Sequence, residues 1–227
     1  MIKEIRKLSN PKRARISLGF FKTGKGHYGE GDLFLGLKVP ECRNIAKKHI
    51  SAGFTAIGKL LKSKFHEERL IALLILTYQF EKADQKGQKE IFNFFLANTK
   101  YVNNWDLVDL SSYKIVGQYL LDKNRRLLYK LANSKNLWER RIAIVSTYQF
   151  IRNHQFVDTL KISGLLLKDK HDLIHKAVGW MLREVGKRSQ HILQKFLSKN
   201  ANSMPRTALR YAIERFPEKQ RLKYLKS

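Results

Sequence analysis

The sequence predicts an all-α fold, a solenoid of stacked helix pairs, and three observations predict it. Apolar residues recur at helical spacing along nearly the whole chain, in stretches of about 10 to 16 residues split by short polar breaks. The prolines at 11, 40, 205 and 217 all stand at proposed helix starts, and no pair of strands with a hairpin turn can be read. The pattern also repeats. Arg69, Trp105, Arg141, Lys176 and Arg210 each sit near the start of the second helix of a pair, 36, 36, 35 and 34 residues apart. Thr77-Tyr78-Gln79-Phe80 returns as Thr147-Tyr148-Gln149-Phe150, 70 residues on. Helix pairs at this period indicate HEAT-like units, whose second helices line a concave surface. The expectation is an α-solenoid with a concave basic groove. It forms one domain, with N-terminal helices over residues 1–50 and repeats over about 51–227.

Residues 2–8 form a first short helix, and Asn10-Pro11 then supplies an N-cap with proline at the first helical position. The helix so opened runs to about Phe21 and carries Lys12, Arg13 and Arg15. Thr23 to Asp32 holds four glycines and reads as loop. Its Gly-x-Gly pieces are not a phosphate loop, because no strand precedes them and no Gly-Lys-Ser/Thr follows at the required distance. Leu33 to Pro40 is short and apolar and resembles a strand, but Pro40 opens a helix from Glu41 to about His49. Helices then follow over 54–63, 66–80, 87–97, 104–120, 123–132, 136–152, 155–167, 171–187, 189–198, 203–215 and 217–225.

The composition limits the function classes. At 43% hydrophobic, the 227 residues can bury a sizeable core. Forty-five Lys and Arg stand against 19 Asp and Glu, a net charge of +26 and a pI near 10.2. Nucleic acid is the partner such a balance favours, ahead of an anionic membrane surface or an acidic protein partner. The longest aliphatic run, Leu70 to Leu76, is too short to span a bilayer, and no signal-peptide core opens the chain. Cys42 is the single cysteine, and the seven histidines lack ligand spacing, so no disulfide, metal or cofactor is expected. A reducing, cytoplasmic compartment fits, and groove binding needs only a monomer.

Two constellations carry candidate chemistry. Trp105 and Asp109 are four apart, which on a helix puts an indole and a carboxylate on one face, one turn apart. Packing of the Trp and dipole compensation by the Asp give the structural alternative. Asp106 points off that line and is assigned to capping or an ion pair. On helix 171–187, plotted at 100° per residue, Ile174, Ala177, Val178, Met181, Leu182 and Val185 form the core face. Trp180 falls opposite, among Lys176, Arg183 and Lys187. There it either stacks on a base or sugar, or packs on a neighbouring helix with the cationic stems around it. Trp138 is read as core. Arg141 matches the repeat phase, with a surface ion pair as its alternative.

At these residues the chain resembles the bacterial DNA alkylation-repair glycosylases built from HEAT-like repeats, the AlkD type. The pieces are Phe34-Leu35-Gly36-Leu37 with Pro40-Glu41 and Arg43, then Trp105-Asp106-x-Val108-Asp109, Trp138 with Arg141, and Lys176-Ala177-x-Gly179-Trp180-x-Leu182-Arg183-Glu184. The resemblance runs from about Asn10 to the C-terminal helices. It implies an enzyme that hydrolyses the N-glycosidic bond of cationic N3- or N7-alkylated purines in double-stranded DNA, grasping the duplex without a base pocket. It implies Asp109 as the carboxylate that stabilises the oxocarbenium-like sugar, Trp105 and Trp180 packed on the deoxyribose, and Arg141 on a phosphate near the lesion. The DNA-binding set it implies is Lys176, Arg183, Lys187, Arg206 and Arg210, with Arg69 and Arg140. Phe20 or Phe21 would reach the lesion from the N-terminal helix. The glycine-rich segment between Lys22 and Asp32 looks longer than in the family's prototype. Relatives that keep the scaffold without excision supply the alternative, a non-catalytic binder of branched, bent or damaged DNA.

Overall fold

Residues 1–226 are described by a computed structural model, and among them helices alternate with short breaks and no strand forms. The order is α1 (Ile2–Lys7), α2 (Pro11–Phe20), α3 (Val39–Lys48), α4 (Phe54–Leu61), α5 (His66–Lys82), α6 (Gln85–Ala97) and α7 (Trp105–Ser112). After these come α8 (Arg126–Ala132), α9 (Leu137–Ser146), α10 (Tyr148–Arg152), α11 (Val157–Leu166), α12 (Asp172–Arg188), α13 (Gln190–Asn200), α14 (Arg206–Ala212) and α15 (Glu218–Lys226). The all-α expectation holds.

Helix starts follow from their caps. The Asn10 side chain accepts from the Arg13 amide at 3.0 Å with Pro11 at the first helical position. Asp84 and Asn136 cap α6 and α9 the same way, through the Gly87 and Trp138 amides. Several boundaries depart from expectation, among them the start of α8 at Arg126 and the span of α14, Arg206–Ala212. Helix α3 starts at Val39, ahead of Pro40, and the Glu41 carboxylate returns to the Lys38 amide at 2.5 Å. The stretch expected as helix 104–120 passes from α7 into a π-helical turn over Tyr113–Gly117. The stretch 136–152 breaks at Thr147, whose hydroxyl donates to the Ile144 carbonyl and competes for the helical bond. The apolar segment after the glycine-rich loop makes a single parallel bridge, Leu33 to Phe65, in place of a strand.

The described residues divide into two compact units, Met1–Ser111 and Ser112 onward. In the first unit α5 is the central element, with α3, α4 and α6 packed on it. Its residues from His66 to Thr77 are all buried, charged ones included. In the second unit α12 is central and touches α9, α10, α11, α13 and α14. Its buried face is the one the helical plot gives, joined by Gly179 and Glu184. The repeated Thr-Tyr-Gln-Phe motif takes the same environment in both units, with Thr and Phe buried and Tyr and Gln half-buried.

Gly179 lets α14 approach α12. A Cβ there would lie 2.5 Å from both the Ala208 carbonyl oxygen and the Tyr211 Cβ. Backbone cannot yield as a side-chain tip can, so Gly179→Ala is expected to destabilise the second unit by about 1–3 kcal/mol despite its better helix propensity. A denaturant midpoint measured against the wild type checks this.

Candidate functional site

The first unit carries the Trp105–Asp109 pair at the start of α7. The Asn104 side chain accepts from the Trp105 amide at 2.8 Å and fixes where the helix begins. Trp105 and Asp109 are both half-buried, and both are within the helix, so their four-residue spacing does put them one turn apart. The N-terminal helix delivers its aromatics to this point. Phe21 stacks on Trp105 with centroids 5.4 Å apart, and Phe20 meets the same indole edge-on at 5.9 Å. Phe20 is 64% exposed and Ile16, one turn earlier, 72% exposed, while α2 has no buried residue. This leaves a solvent-facing apolar edge beside the indole.

Beneath the aromatics lies a buried ionic chain that the sequence did not disclose. His66, the first residue of α5, sits between two carboxylates. Its Nε2 is 2.8 Å from Asp106 and its Nδ1 is 3.4 Å from Asp32. Arg69 pairs with Asp32 at 2.7 Å and donates to the Ser63 carbonyl at 2.9 Å. The Asn104 amide also reaches Asp32 at 3.4 Å. Phe34 stacks on the His66 ring at 4.8 Å, and Phe21 covers it at 4.7 Å. Burial opposes a charge on His66, but the Asp106 carboxylate, which attracts and accepts its proton, and Asp32 outweigh it and raise its pKa to about 9. Burial likewise raises the Asp32 carboxyl, yet the His66 hydrogen bond and the Arg69 charge hold it below its usual value.

This has a consequence for stability. A histidine whose folded-state pKa lies above its unfolded value adds stability that is complete below the unfolded pKa. That stability is lost as pH rises through the folded one. With 6.5 as the ordinary value and about 9 in the fold, the loss falls between those pH values. It amounts to about 3 kcal/mol. Urea midpoints from pH 6 to 10 should fall across that window, and the slope should vanish in His66→Gln.

Asp106 therefore takes the ion-pair role expected of it. Arg69 does not stand on a DNA-facing stripe. It is 4% exposed and committed to Asp32 and Ser63. The physical reason is that α5 is covered on every side from His66 to Thr77, so a repeat-phase position there points into protein.

The second unit carries Trp180. It is half-buried on α12 and touches Tyr148 at 5.9 Å, and Tyr148 meets Tyr113 edge-on at 5.2 Å. Arg188 stands 5.9 Å over the Tyr148 ring. Tyr113 and Tyr148 are 35 residues apart, the repeat period, so their pairing leaves a trace in the sequence. Arg141 is buried, 5% exposed, and donates to the Leu173 carbonyl. It ties α9 to the start of α12. Arg140 is likewise engaged, with Asp169 at 2.6 Å and the Ser134 and Lys135 carbonyls. Trp138 is core, as expected.

The cations on and after α12 remain nearer solvent. Lys176 pairs with Asp172 at 2.8 Å, and Lys187 with buried Glu184 at 2.6 Å. Arg183 pairs with Glu214. Arg206 is exposed and donates to the Leu225 carbonyl at 2.7 Å. Arg210 is exposed, with no hydrogen bond or ion pair among the described residues. Among the described residues no helix is long and apolar enough to cross a membrane.

Comparison with known proteins places these features. No curated protein matches the chain significantly. The solved structure of a predicted DNA alkylation repair enzyme from Enterococcus faecalis shares the fold, with a TM-score of 0.71 at 15% sequence identity. The match covers 92% of this chain and 97% of that one. A family model described as DNA alkylation repair enzyme matches residues 1–216. With 216 of 227 residues matched, the chain belongs to the DNA alkylation repair enzyme family, and its role lies in the repair of alkylated DNA.

Proposed function

We propose that the chain is a monofunctional DNA glycosylase that releases cationic N3- or N7-alkylated purines from duplex DNA held along HEAT-like helix pairs. The observation that carries the reading is the Trp105–Asp109 pair, half-open at the head of α7, with Phe20 and Phe21 against the indole. An alkylated purine with a formal positive charge leaves as a neutral base, so the reaction needs little acid help. The barrier lies in the sugar, which gains positive charge at C1′ as the N-glycosidic bond stretches. A carboxylate fixed beside that carbon lowers the barrier by opposing the developing charge. Asp109, one turn from Trp105 on α7, is the carboxylate this reading assigns to that role. It can also orient the water that adds to C1′ and accept that water's proton, leaving an abasic deoxyribose. The face of Trp105 suits that cation and its sugar, and the face of Trp180 offers a surface on which a sugar or base can stack.

Phosphate contacts in this reading come from Lys176, Arg183, Lys187, Arg206 and Arg210, which fix register without reading sequence. Arg210 is the clearest of these, since no acid competes for it. Duplex affinity should fall steeply with salt, and Arg210→Ala should make the log–log slope shallower by about 0.9. A binding titration between 50 and 300 mM salt, on the order of the range where such slopes are read, checks this. Affinity indifferent to salt would favour an acidic protein partner instead.

A further inference from the structure

Building on the glycosylase reading, we propose that His66 is a positioning residue. Bonded on one side to Asp106 and on the other to Asp32, it sets the first turn of α7, and so Trp105 and Asp109, and makes that setting depend on the glycine-rich loop.

The geometry is specific. Asp106 is the residue next to Trp105, and its carboxylate is held by His66 Nε2 at 2.8 Å. The opposite ring nitrogen faces Asp32, the last residue of the loop, at 3.4 Å. Asp32 is in turn fixed by Arg69 and by the side chain of Asn104, the residue before Trp105. The residues flanking Trp105 are thus both tied to one buried cluster. The loop is tied from its other end too. Phe21 precedes it and lies on both Trp105 and His66. Within the loop Gly26 and Gly31 have positive φ, and the Gly26 amide donates to Glu30 at 2.8 Å. These conformations let the chain turn back so that Phe21 and Asp32 meet the same histidine. A loop that only joined α2 to the rest would need neither an aromatic lid nor a buried acid.

The charged groups facing His66 are Asp32 from the loop, Asp106 from α7 and Arg69 from its own helix. The Cys42 thiol on α3 is pushed up to about 12 by burial and by nearby carboxylates, so it stays neutral. The imidazole is the group of this cluster that changes charge between neutrality and pH 10. Loss of one proton leaves a neutral ring that can donate to only one of the two carboxylates, so Asp32 and Asp106 no longer share a cation and one of the two hydrogen bonds is given up.

The test follows the Trp105 indole and the His66 imidazole together by 1H–15N NMR from pH 6 to 10, with Trp105→Phe giving the assignment. Single-turnover base release and duplex affinity are measured alongside, in the wild type, His66→Gln and Asp32→Asn. The expected result is a Trp105 signal that moves with the His66 midpoint and is static in His66→Gln. In Asp32→Asn both midpoints move down together. Release in His66→Gln should drop about 10- to 100-fold, the scale of a displacement near 1 Å, while affinity holds within about twofold. A Trp105 signal indifferent to the imidazole's titration, or full release by His66→Gln, overturns the proposal. If either variant fails to fold, the wild-type titration alone decides it. A wild type that releases no base refutes the glycosylase reading separately, and the coupled titration still reports on the positioning.

Discussion

Asp109→Asn is expected to cut single-turnover release of an alkylated purine by about 10²- to 10³-fold, the cost typical of deleting one preorganised electrostatic contact. The substitution keeps the shape of the side chain and removes its charge. At about 4 Å and an effective dielectric near 20, a full charge pair is worth about 4 kcal/mol, which agrees with the upper part of that range. The loss should appear in the rate of the chemical step and not in binding. Removing a carboxylate from a surface that meets phosphates should, if anything, tighten duplex affinity. A change in the opposite sense, with affinity lost and rate retained, would make Asp109 a structural residue of α7.

The second large effect is on stability and concerns Glu67, which neighbours His66 on α5. Its carboxylate is buried and accepts three backbone amides, Leu35 at 2.9 Å, Gly36 at 2.8 Å and Leu37 at 3.2 Å. Among the described residues these three amides have no other acceptor. Gly36 has φ +81° and lies so close to Asn10 and Ala14 that a side chain would collide with the backbone there. The turn thereby seats the start of α2, and the Asn10 amide donates back to the Leu35 carbonyl at 2.7 Å. Glu67→Ala leaves two buried N–H groups and one part-buried N–H unpaired. At 1–3 kcal/mol each with partial relaxation, the expected cost is about 4 kcal/mol. For a chain of this length that lowers Tm by about 10 °C, readable by calorimetry. Glu67→Gln should lie between, since its amide nitrogen cannot accept. Because α2 carries Phe20 to the indole, release should suffer in both variants even below the melting range.

Much of this molecule was legible from local pattern. Helices α5 and α12 were expected over 66–80 and 171–187 and occur over His66–Lys82 and Asp172–Arg188. Periodicity and caps are properties of a single segment, which is why they could be read. The core face of α12 and the burial of Trp138 were readable for the same reason. Arg69 was misjudged because periodicity gives a direction about a helix's own axis, not what covers it. On α5 even Glu67, Glu68 and Arg69 are buried, so no polar face marks solvent. The Asp32–His66–Asp106 chain joins residues 34 and 40 positions apart and leaves no periodic trace. The turn held by Glu67 is equally non-local, since its amides lie about 30 residues before the acid. Tyr113 and Tyr148 differ, because their spacing carries the repeat and was there to be used.

The glycosylase reading is tested most directly by single-turnover release of 7-methylguanine and 3-methyladenine from methylated duplex DNA, with wild type and Asp109→Asn run side by side. The account predicts release by the wild type that collapses in the variant while salt-sensitive duplex binding persists. Binding by both proteins with no base released by either would contradict it, and would leave a scaffold that recognises damaged or distorted DNA without cutting the glycosidic bond.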